Sequence, residues 1–259
     1  MNQEERRRFL IEELLRERPS SRRQEIPADT DRQKVLLRSL MNVRHPGAIS
    51  QRFLEVQDAY LQGELAAKKI TRLSELSPLQ NGIYLWRGDI TTLDCGAIVN
   101  AANSGMTGCY QPCHNCIDNC IHTFAGVQLR LKCAEMMEQQ GYEEPTGQAK
   151  ITPAYNLPCD YVIHTVGPIV RGELTRQHCE LLKSCYRSCL ELADENNVGS
   201  IAFCCISTGI FMFPNDRAAE IAVQMVQEYK AETGSKIEVV FNVFKEQDER
   251  IYRKLLSAD

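Results

Sequence analysis

From Ile83 onward, short runs of β-branched and aromatic residues alternate with longer stretches of helical periodicity, and this alternation restricts the chain to few folds. Repeated strand and helix units of this kind build one sheet, parallel or mixed, that is covered by helices. Strands are predicted at residues 83–86, 97–100, 149–153, 161–165, 200–206 and 236–243. Helices are predicted at residues 118–140, 176–196, 215–233 and 246–256. The sequence therefore predicts an α/β fold for this part of the chain.

Residues 1–80 have no strand pattern, but their apolar residues recur at helical spacing in three stretches. Leu36 and Leu40 belong to the second stretch, and a Pro/Ser/Arg-rich segment from Pro19 to Pro27 separates it from the first. The apolar residues are too few for a rich core, so we expect two to four helices that pack on the following domain. The predicted organisation is a helical N-terminal extension at residues 1–80 and one α/β domain at residues 81–259.

Composition narrows the class of protein. The formal net charge is −4, which gives no indication of nucleic-acid binding. No apolar run reaches the length of about 18 residues that a transmembrane helix needs, so no membrane span is expected. The N-terminus is polar and charged and lacks a signal-peptide pattern. Twelve cysteines in a chain without an export signal indicate thiols and metal ligands rather than disulfides, and we expect a cytoplasmic location.

The most informative segment is residues 109–122, where four cysteines and two histidines fall within fourteen positions. Cys sulfur and His nitrogen are the ligands of zinc, and ligands at this spacing can reach one ion across a tight turn. The alternative is a set of buried thiols with a capping histidine, and the spacing favours metal. Four ligands such as Cys109, Cys113, His114 and Cys116 would make a closed structural site, whereas three would leave a position for water or substrate. Spacing does not choose between these two arrangements.

Two further loops follow predicted strands, where open α/β sheets bind ligands. Asp89, in the turn after the first strand, either caps the next segment or accepts a hydrogen bond from an amine such as adenine N6, and its spacing favours the cap. The loop at residues 206–214 contains small residues and one glycine before a predicted helix. Its backbone N–H groups could hold a diphosphate, and its aromatic residues Phe211 and Phe213 either flank a ribose or base or belong to the core.

Together these segments resemble the macrodomain pattern. The resemblance covers roughly residues 83–257 and rests on GDI at residues 88–90, AIVNAAN at 97–103, VIHTVGP at 162–168 and STGIF at 207–211. Most macrodomains have a polyglycine loop after the asparagine motif, whereas this chain has GCYQPCHNCIDN at 108–119. That loop resembles the zinc-dependent macrodomains of bacteria, which remove ADP-ribose from modified proteins.

The resemblance implies a three-layer α/β/α sandwich whose cleft binds ADP-ribose. It implies that Asp89 holds the adenine amine, that the backbone of Ile90 lies beside it, and that Asn103 contacts the distal ribose. The diphosphate would be wrapped by Ser207, Thr208, Gly209, Ile210 and Phe211. The zinc ligands would be Cys109, His114 and Cys116. Asp118 stands where many hydrolytic macrodomains have an acidic residue, so Asn103 and Asp118 are the candidate catalytic residues.

The activity that the resemblance implies is zinc-dependent hydrolysis of mono-ADP-ribose from protein side chains, with acidic side chains as the expected attachment sites. Members of this group also resemble partners of a sirtuin-like ADP-ribosyltransferase and of a lipoyl carrier protein of the glycine-cleavage type. Two alternatives remain at the level of sequence. One is a reader module that binds ADP-ribosylated protein without cutting it, and the other is a redox sensor whose Cys/His loop releases zinc on oxidation.

Overall fold

The β-branched runs assemble into one mixed six-stranded sheet. A computed structural model describes residues 1–19 and 24–257. Its strands are β1 (Thr71–Arg72), β2 (Ile83–Arg87), β3 (Leu93–Asp94), β4 (Ala97–Ala102), β5 (Ala149–Pro153), β6 (Tyr161–Val166), β7 (Ser200–Phe203) and β8 (Glu238–Val243). The order across the main sheet is β2-β8-β7-β4-β6-β5, with all neighbours parallel except the antiparallel edge strand β5. All six predicted strands are present.

The central strands are apolar on both faces because helices cover both sides of the sheet. Ala97, Ile98 and Val99 of β4 are fully buried, as are the neighbouring Ile163 of β6 and Ile201 of β7. Cys185 and Cys189 of a long helix are buried in the core against the sheet, while Cys179 of the same helix is partly buried. The α/β sandwich predicted from the sequence is therefore confirmed.

The helices are α1 (Gln3–Arg16), α2 (Thr30–Val43), α3 (Gln51–Ala66), α4 (Ile117–Ala125), α5 (Val127–Gln140), α6 (Arg176–Glu195), α7 (Asn215–Thr233) and α8 (Glu246–Leu256). The single helix predicted at residues 118–140 is wrong, because Gly126 divides it into α4 and α5. Gly126 has φ +101°, which residues with a side chain rarely adopt. A Cβ there would lie 2.5 Å from the Gln128 side-chain oxygen and 2.6 Å from the Gln57 amide nitrogen of α3, so the break requires glycine.

Two smaller expectations also need correction. The absence of any strand before residue 83 is wrong, since β1 pairs in parallel with β3 in a separate two-stranded sheet. The strand predicted at residues 200–206 ends at Phe203, because Cys204 and the residues after it leave the sheet to form a loop. Both differences are local and leave the order of the main sheet unchanged.

The N-terminal helices form a hydrophobic cluster of their own. It contains Leu10, Leu36, Leu40 and Phe53, and it also takes in Val127 of α5. The helices contact the α/β part directly, as where the Gln57 side chain accepts a hydrogen bond from the Val127 backbone N–H at 2.9 Å. The domain division at residue 80 stays a prediction.

Part of the predicted helix-breaking segment, residues 20–23, lies outside the described residues. Within residues 1–19 and 24–257, no helix is long and apolar enough to cross a bilayer.

Candidate active site

The residues predicted to carry chemistry lie on loops that leave the carboxyl ends of parallel strands, the edge at which open α/β sheets bind ligands. Asp89 follows β2, Asn103 follows β4, Gly167 follows β6, and Ser207 lies in the loop after β7. The loop after β6 is joined to the one after β7 by a hydrogen bond from the Val170 N–H to the Phe211 carbonyl at 2.9 Å. The topology therefore brings the predicted site residues to one edge of the sheet.

Asp89 performs the capping role that its spacing favoured, and its second carboxylate oxygen accepts no hydrogen bond from a described residue. Its Oδ1 accepts hydrogen bonds from the Thr91 N–H at 3.0 Å and the Thr91 hydroxyl at 2.6 Å. Its Oδ2 lies 3.8 Å from the Lys68 ammonium, and the side chain is 44% exposed. The N–H of the next residue, Ile90, donates to no other described residue. The turn therefore offers one acceptor and one donor side by side.

Asn103 connects the end of β4 to the Cys/His loop. Its amide nitrogen donates to the Gly108 carbonyl at 3.1 Å and makes a longer contact of 3.4 Å with Asp118 Oδ2. Its Oδ1 accepts from the Gly105 N–H at 3.0 Å. An amide oxygen has two lone pairs, so this partly exposed side chain can accept one more hydrogen bond.

Asp118, in the first turn of α4, is buried and held by amide groups. Its Oδ1 accepts a 2.8 Å hydrogen bond from the Asn100 side chain, whose amide nitrogen also lies 3.1 Å from His164 Nδ1. Burial raises the pKa of this carboxyl to about 6, and the Asn100 hydrogen bond and the Arg130 charge oppose that rise. A carboxyl with a pKa near neutrality is suited to exchanging protons at physiological pH.

Cys109, His114 and Cys116 come together as a group of three, with their ligand atoms all within 4.8 Å of one another. The Cys109 sulfur lies 3.7 Å from His114 Nδ1. On a tetrahedral zinc ion, a sulfur at about 2.3 Å and a nitrogen at about 2.0 Å lie roughly 3.6 Å apart, so the observed spacing fits zinc. Burial raises the pKa of the Cys116 thiol to about 12, and a bound divalent cation is the kind of charge that deprotonates such a thiol.

The structure separates the remaining members of the cysteine and histidine cluster from this group. The Cys113 sulfur points to the Val35 carbonyl of α2, at 3.5 Å, and the Cys120 sulfur lies 3.7 Å from the Arg38 guanidinium. Neither belongs to the three-residue group. The geometry therefore favours the three-ligand arrangement over the four-ligand set that included Cys113.

His122, the second histidine of the cluster, forms a separate buried group with Cys133 and His164. In that group His164 is fixed on both sides, by Asn100 at 3.1 Å and by the Thr152 hydroxyl at 2.9 Å. Burial lowers the pKa of His164 to about 3. This neutral imidazole therefore acts as a spacer between strands β4, β5 and β6 and anchors Asn100.

The loop after β7 presents free donors at a glycine. Ser207 has φ +65°, and its buried hydroxyl has no hydrogen-bond partner among the described residues. The backbone N–H groups of Gly209, Ile210 and Phe211 likewise donate to no other described residue. A Cβ at Gly167 would collide with the Ser207 side chain, so glycine at 167 lets the two loops meet. Phe213 is core, whereas Phe211 is partly exposed.

Sequence reasoning missed three residues at this edge. Phe244 follows β8 and is 78% exposed, and because Arg87 pairs with Val243, it lies level with the turn that contains Asp89. An exposed aromatic residue at the end of a buried strand was the available signal. Lys68 and Arg38 come from the helical extension, and no short-range pattern links them to loops far along the chain.

Comparison with known proteins places these features in one family. The sequence profile described as Macro domain matches residues 99–222. A protein-ADP-ribose hydrolase of Treponema medium is 63% identical over 261 aligned residues, which cover 99% of this chain and 100% of that protein. A protein-ADP-ribose hydrolase of Staphylococcus aureus strain MSSA476 is 49% identical over 253 residues, covering 97% of this chain and 95% of that protein.

Two solved macrodomain structures are also similar to this chain. A macrodomain of Oceanobacillus iheyensis with ADP has 36% identity and a TM-score of 0.63, and the match covers 71% of this chain and 94% of that one. A Trypanosoma brucei macrodomain in complex with ADP-ribose has 30% identity and a TM-score of 0.66, covering 84% of this chain and 94% of that one.

Proposed function

Since the chain belongs to the macro domain family, we propose that it is a hydrolase that releases ADP-ribose from modified proteins. The full-length similarity to protein-ADP-ribose hydrolases extends over both the helical extension and the Cys/His loop. The observation that carries the proposal is the convergence of a three-ligand Cys/His group with Asn103 and Asp118 at the strand edge. The proposal therefore assigns nucleotide binding and the reaction to one site.

The adenine end of the nucleotide is assigned to the turn after β2. Asp89 Oδ2 accepts no hydrogen bond from a described residue and, beside the Lys68 ammonium, can accept one from the exocyclic amine, while the Ile90 N–H can donate to a ring nitrogen. Phe244 offers an exposed ring beside this turn, and aromatic faces bind bases by stacking. An acceptor, a donor and a stacking surface together match the edge and the face of adenine.

The diphosphate is assigned to the loop after β7. The free N–H groups of Gly209, Ile210 and Phe211 and the unpartnered hydroxyl of Ser207 are donors without competing acceptors. Consecutive backbone N–H groups form concave anion sites of the kind that bind phosphates. The Thr208 hydroxyl is used internally, donating to the Cys205 carbonyl at 3.0 Å, so Thr208 contributes the shape of the loop.

Cys109, His114 and Cys116 would hold a zinc ion, which would supply Lewis-acid chemistry when bound. Three protein ligands are the number found in catalytic zinc sites, which keep one position open. Asn103 lies next to this group through its hydrogen bond to Gly108, the residue before Cys109. Its remaining Oδ1 lone pair would accept a distal-ribose hydroxyl and orient the sugar.

The proposed reaction is hydrolysis at the anomeric carbon C1″ of the distal ribose. The oxygen of a water molecule bonds to C1″, the bond from C1″ to the side-chain oxygen breaks, and the bonding pair leaves with the protein carboxylate. The water's proton passes to the carboxylate of buried Asp118, whose Oδ2 makes only a longer contact of 3.4 Å with Asn103. Asp118 then returns the proton to solvent. Orientation of the sugar by Asn103 can contribute several kcal/mol, roughly, to the rate.

The finer assignments belong to the same proposal. The modified side chain is assigned as acidic, since a carboxylate is a good leaving group for this step. By analogy, the modified protein is a lipoyl carrier of the glycine-cleavage type that is acted on by a sirtuin-like transferase. We also propose a cytoplasmic location, on the basis of the many free thiols and the sequence composition.

A hydrolysis assay with matched loop variants tests this function. Zinc-loaded wild-type protein is expected to release free ADP-ribose from an ADP-ribosylated protein, and Cys116→Ala is expected to lose zinc and activity. Cys113→Ala is the control, because Cys113 lies in the same loop but outside the three-residue group. Metal-free Cys116→Ala that cleaves at the wild-type rate would contradict the zinc role. Binding without release by the wild type would indicate a reader.

A further inference from the structure

The Cys/His loop does not hold its shape alone, because helix α2 of the N-terminal extension lies against it. The Arg38 guanidinium donates to the His114 carbonyl at 2.8 Å and to the Asn119 side chain at 3.1 Å. The Asn42 side-chain oxygen accepts the Cys113 N–H at 2.9 Å. Two side chains one helical turn apart on α2 therefore bind consecutive residues in the middle of the loop.

Asn42 also ties the loop to α4. Its side chain is 1% exposed and uses both ends, with the oxygen on the Cys113 N–H and the nitrogen donating to the Thr123 hydroxyl at 2.8 Å. Helix α4 begins after Cys116, whose sulfur accepts a hydrogen bond from the Asn119 N–H at 3.4 Å. One buried amide thus sets the distance between the middle of the loop and the helix that carries the third ligand.

The contact with α2 falls at the strained point of the loop. Cys113 has φ +55°, a left-handed conformation that is unfavourable for residues with a side chain. Its N–H is bound by Asn42, and its sulfur lies 3.5 Å from the Val35 carbonyl of α2. Strained backbone persists only where its surroundings hold it. The turn at Cys113 directs His114 toward Cys109, so the ligand group depends on it.

Helix α2 is itself fixed by the α/β domain. Buried Arg130 of α5 donates to the carbonyls of Met41, Asn42 and Arg44 at the C-terminal end of α2, at 2.7–3.0 Å. A cation at a helix C-terminus binds the unpaired carbonyls and complements the helix dipole. The same guanidinium lies 4.4 Å from the ring centroid of Tyr110 in the loop. Arg130 therefore fixes the position of α2 relative to the loop.

We propose that Arg38 and Asn42 are positioning residues, through which the N-terminal extension holds the Cys/His loop in the conformation that gathers Cys109, His114 and Cys116. The inference rests on the metal site of the proposed function and extends it to a segment outside the nucleotide cleft. It gives the helical extension a role in the site, since the ligand geometry is shared between the two parts of the chain.

The test measures zinc affinity of the full-length chain by competition with a chromophoric chelator. Arg38→Ala and Asn42→Ala are expected to weaken zinc binding by roughly 10–100-fold, as for other groups that orient metal ligands. Arg38→Lys is expected to restore part of the affinity, because one donor can still reach the His114 carbonyl. Arg32→Ala is the matched control, an exposed arginine on the same helix. Affinity for ADP-ribose is expected to stay near that of the wild type in all variants.

A second readout uses hydrogen exchange of the metal-free protein. The amides of residues 109–116 are expected to exchange faster in Arg38→Ala and Asn42→Ala than in the wild type or in Arg32→Ala. Unchanged zinc affinity together with unchanged exchange would overturn the proposal. A wild type that binds no zinc would instead refute the metal of the proposed function, and the exchange result would then decide whether α2 holds the loop. If Asn42→Ala fails to fold, the half-buried Arg38 decides alone.

Discussion

Replacement of Ser207 by alanine is expected to change stability and binding in opposite directions. The Ser207 hydroxyl is buried without a partner among the described residues, and its removal relieves a desolvation penalty of about 1–3 kcal/mol. For a chain of this size, each kcal/mol raises the midpoint of thermal unfolding by roughly 2–4 °C. The same hydroxyl is assigned to the diphosphate, and a hydrogen bond to a charged group contributes about 1.5–3 kcal/mol. Ser207→Ala should therefore be more stable without ligand and bind ADP-ribose more weakly.

Thermal unfolding of the ligand-free protein and calorimetric titration with ADP-ribose measure the two effects. Thr208→Ala is the control, because the Thr208 hydroxyl already donates to the Cys205 carbonyl and should cost stability when removed. The two substitutions are thus expected to shift the midpoint of thermal unfolding in opposite directions. A Ser207→Ala protein with a lowered unfolding midpoint and unchanged affinity would refute the assignment of Ser207 to the phosphate site.

The remaining predictions concern the adenine turn, the ligand count and acid stability. Asp89→Asn retains the cap on the following turn but replaces the free acceptor by a donor, so calorimetry should find ADP-ribose affinity lower by about 1–3 kcal/mol; unchanged affinity would remove Asp89 from the site. Metal analysis should find one zinc per chain in Cys113→Ser and none in Cys116→Ser. Loss of zinc from the Cys113→Ser protein would instead support the four-ligand arrangement that includes Cys113. Burial lowers the pKa of His164 to about 3, so on acidification this histidine binds a proton in the unfolded chain before it does in the folded chain. The free energy of unfolding should therefore fall as the pH drops below about 6.5, by at most about 5 kcal/mol. Urea unfolding across this range should give a flatter profile for His164→Gln, and an equal slope would contradict this account.

Local patterns were sufficient for most of the fold. Parallel strands buried on both faces are near-continuous apolar runs, which is why β4 and β6 could be placed from the sequence. The break at Gly126 was missed because the helical pattern continues across it. A Cβ at this position would meet both the neighbouring Gln128 side chain and Gln57 of α3, a helix far away in sequence. Contacts with distant residues of this kind cannot be read from local spacing.

The candidate site follows the same rule. The Cys/His spacing indicated metal but could not separate three ligands from four, because the answer depends on the left-handed turn at Cys113 and on the carbonyl of Val35. The participation of Arg38 and Asn42 was equally hidden, since each contacts a loop more than seventy positions away. Spacing gives the ligand types, and tertiary packing selects the ligands.

The proposed function requires that Cys109, His114 and Cys116 hold zinc beside a bound ADP-ribose. Anomalous diffraction at the zinc edge, from crystals grown with zinc and ADP-ribose, tests it most directly. One peak is expected at about 2.3 Å from both sulfurs and about 2.0 Å from the imidazole nitrogen. An ordered loop with no anomalous peak, beside a well-defined nucleotide, would contradict it.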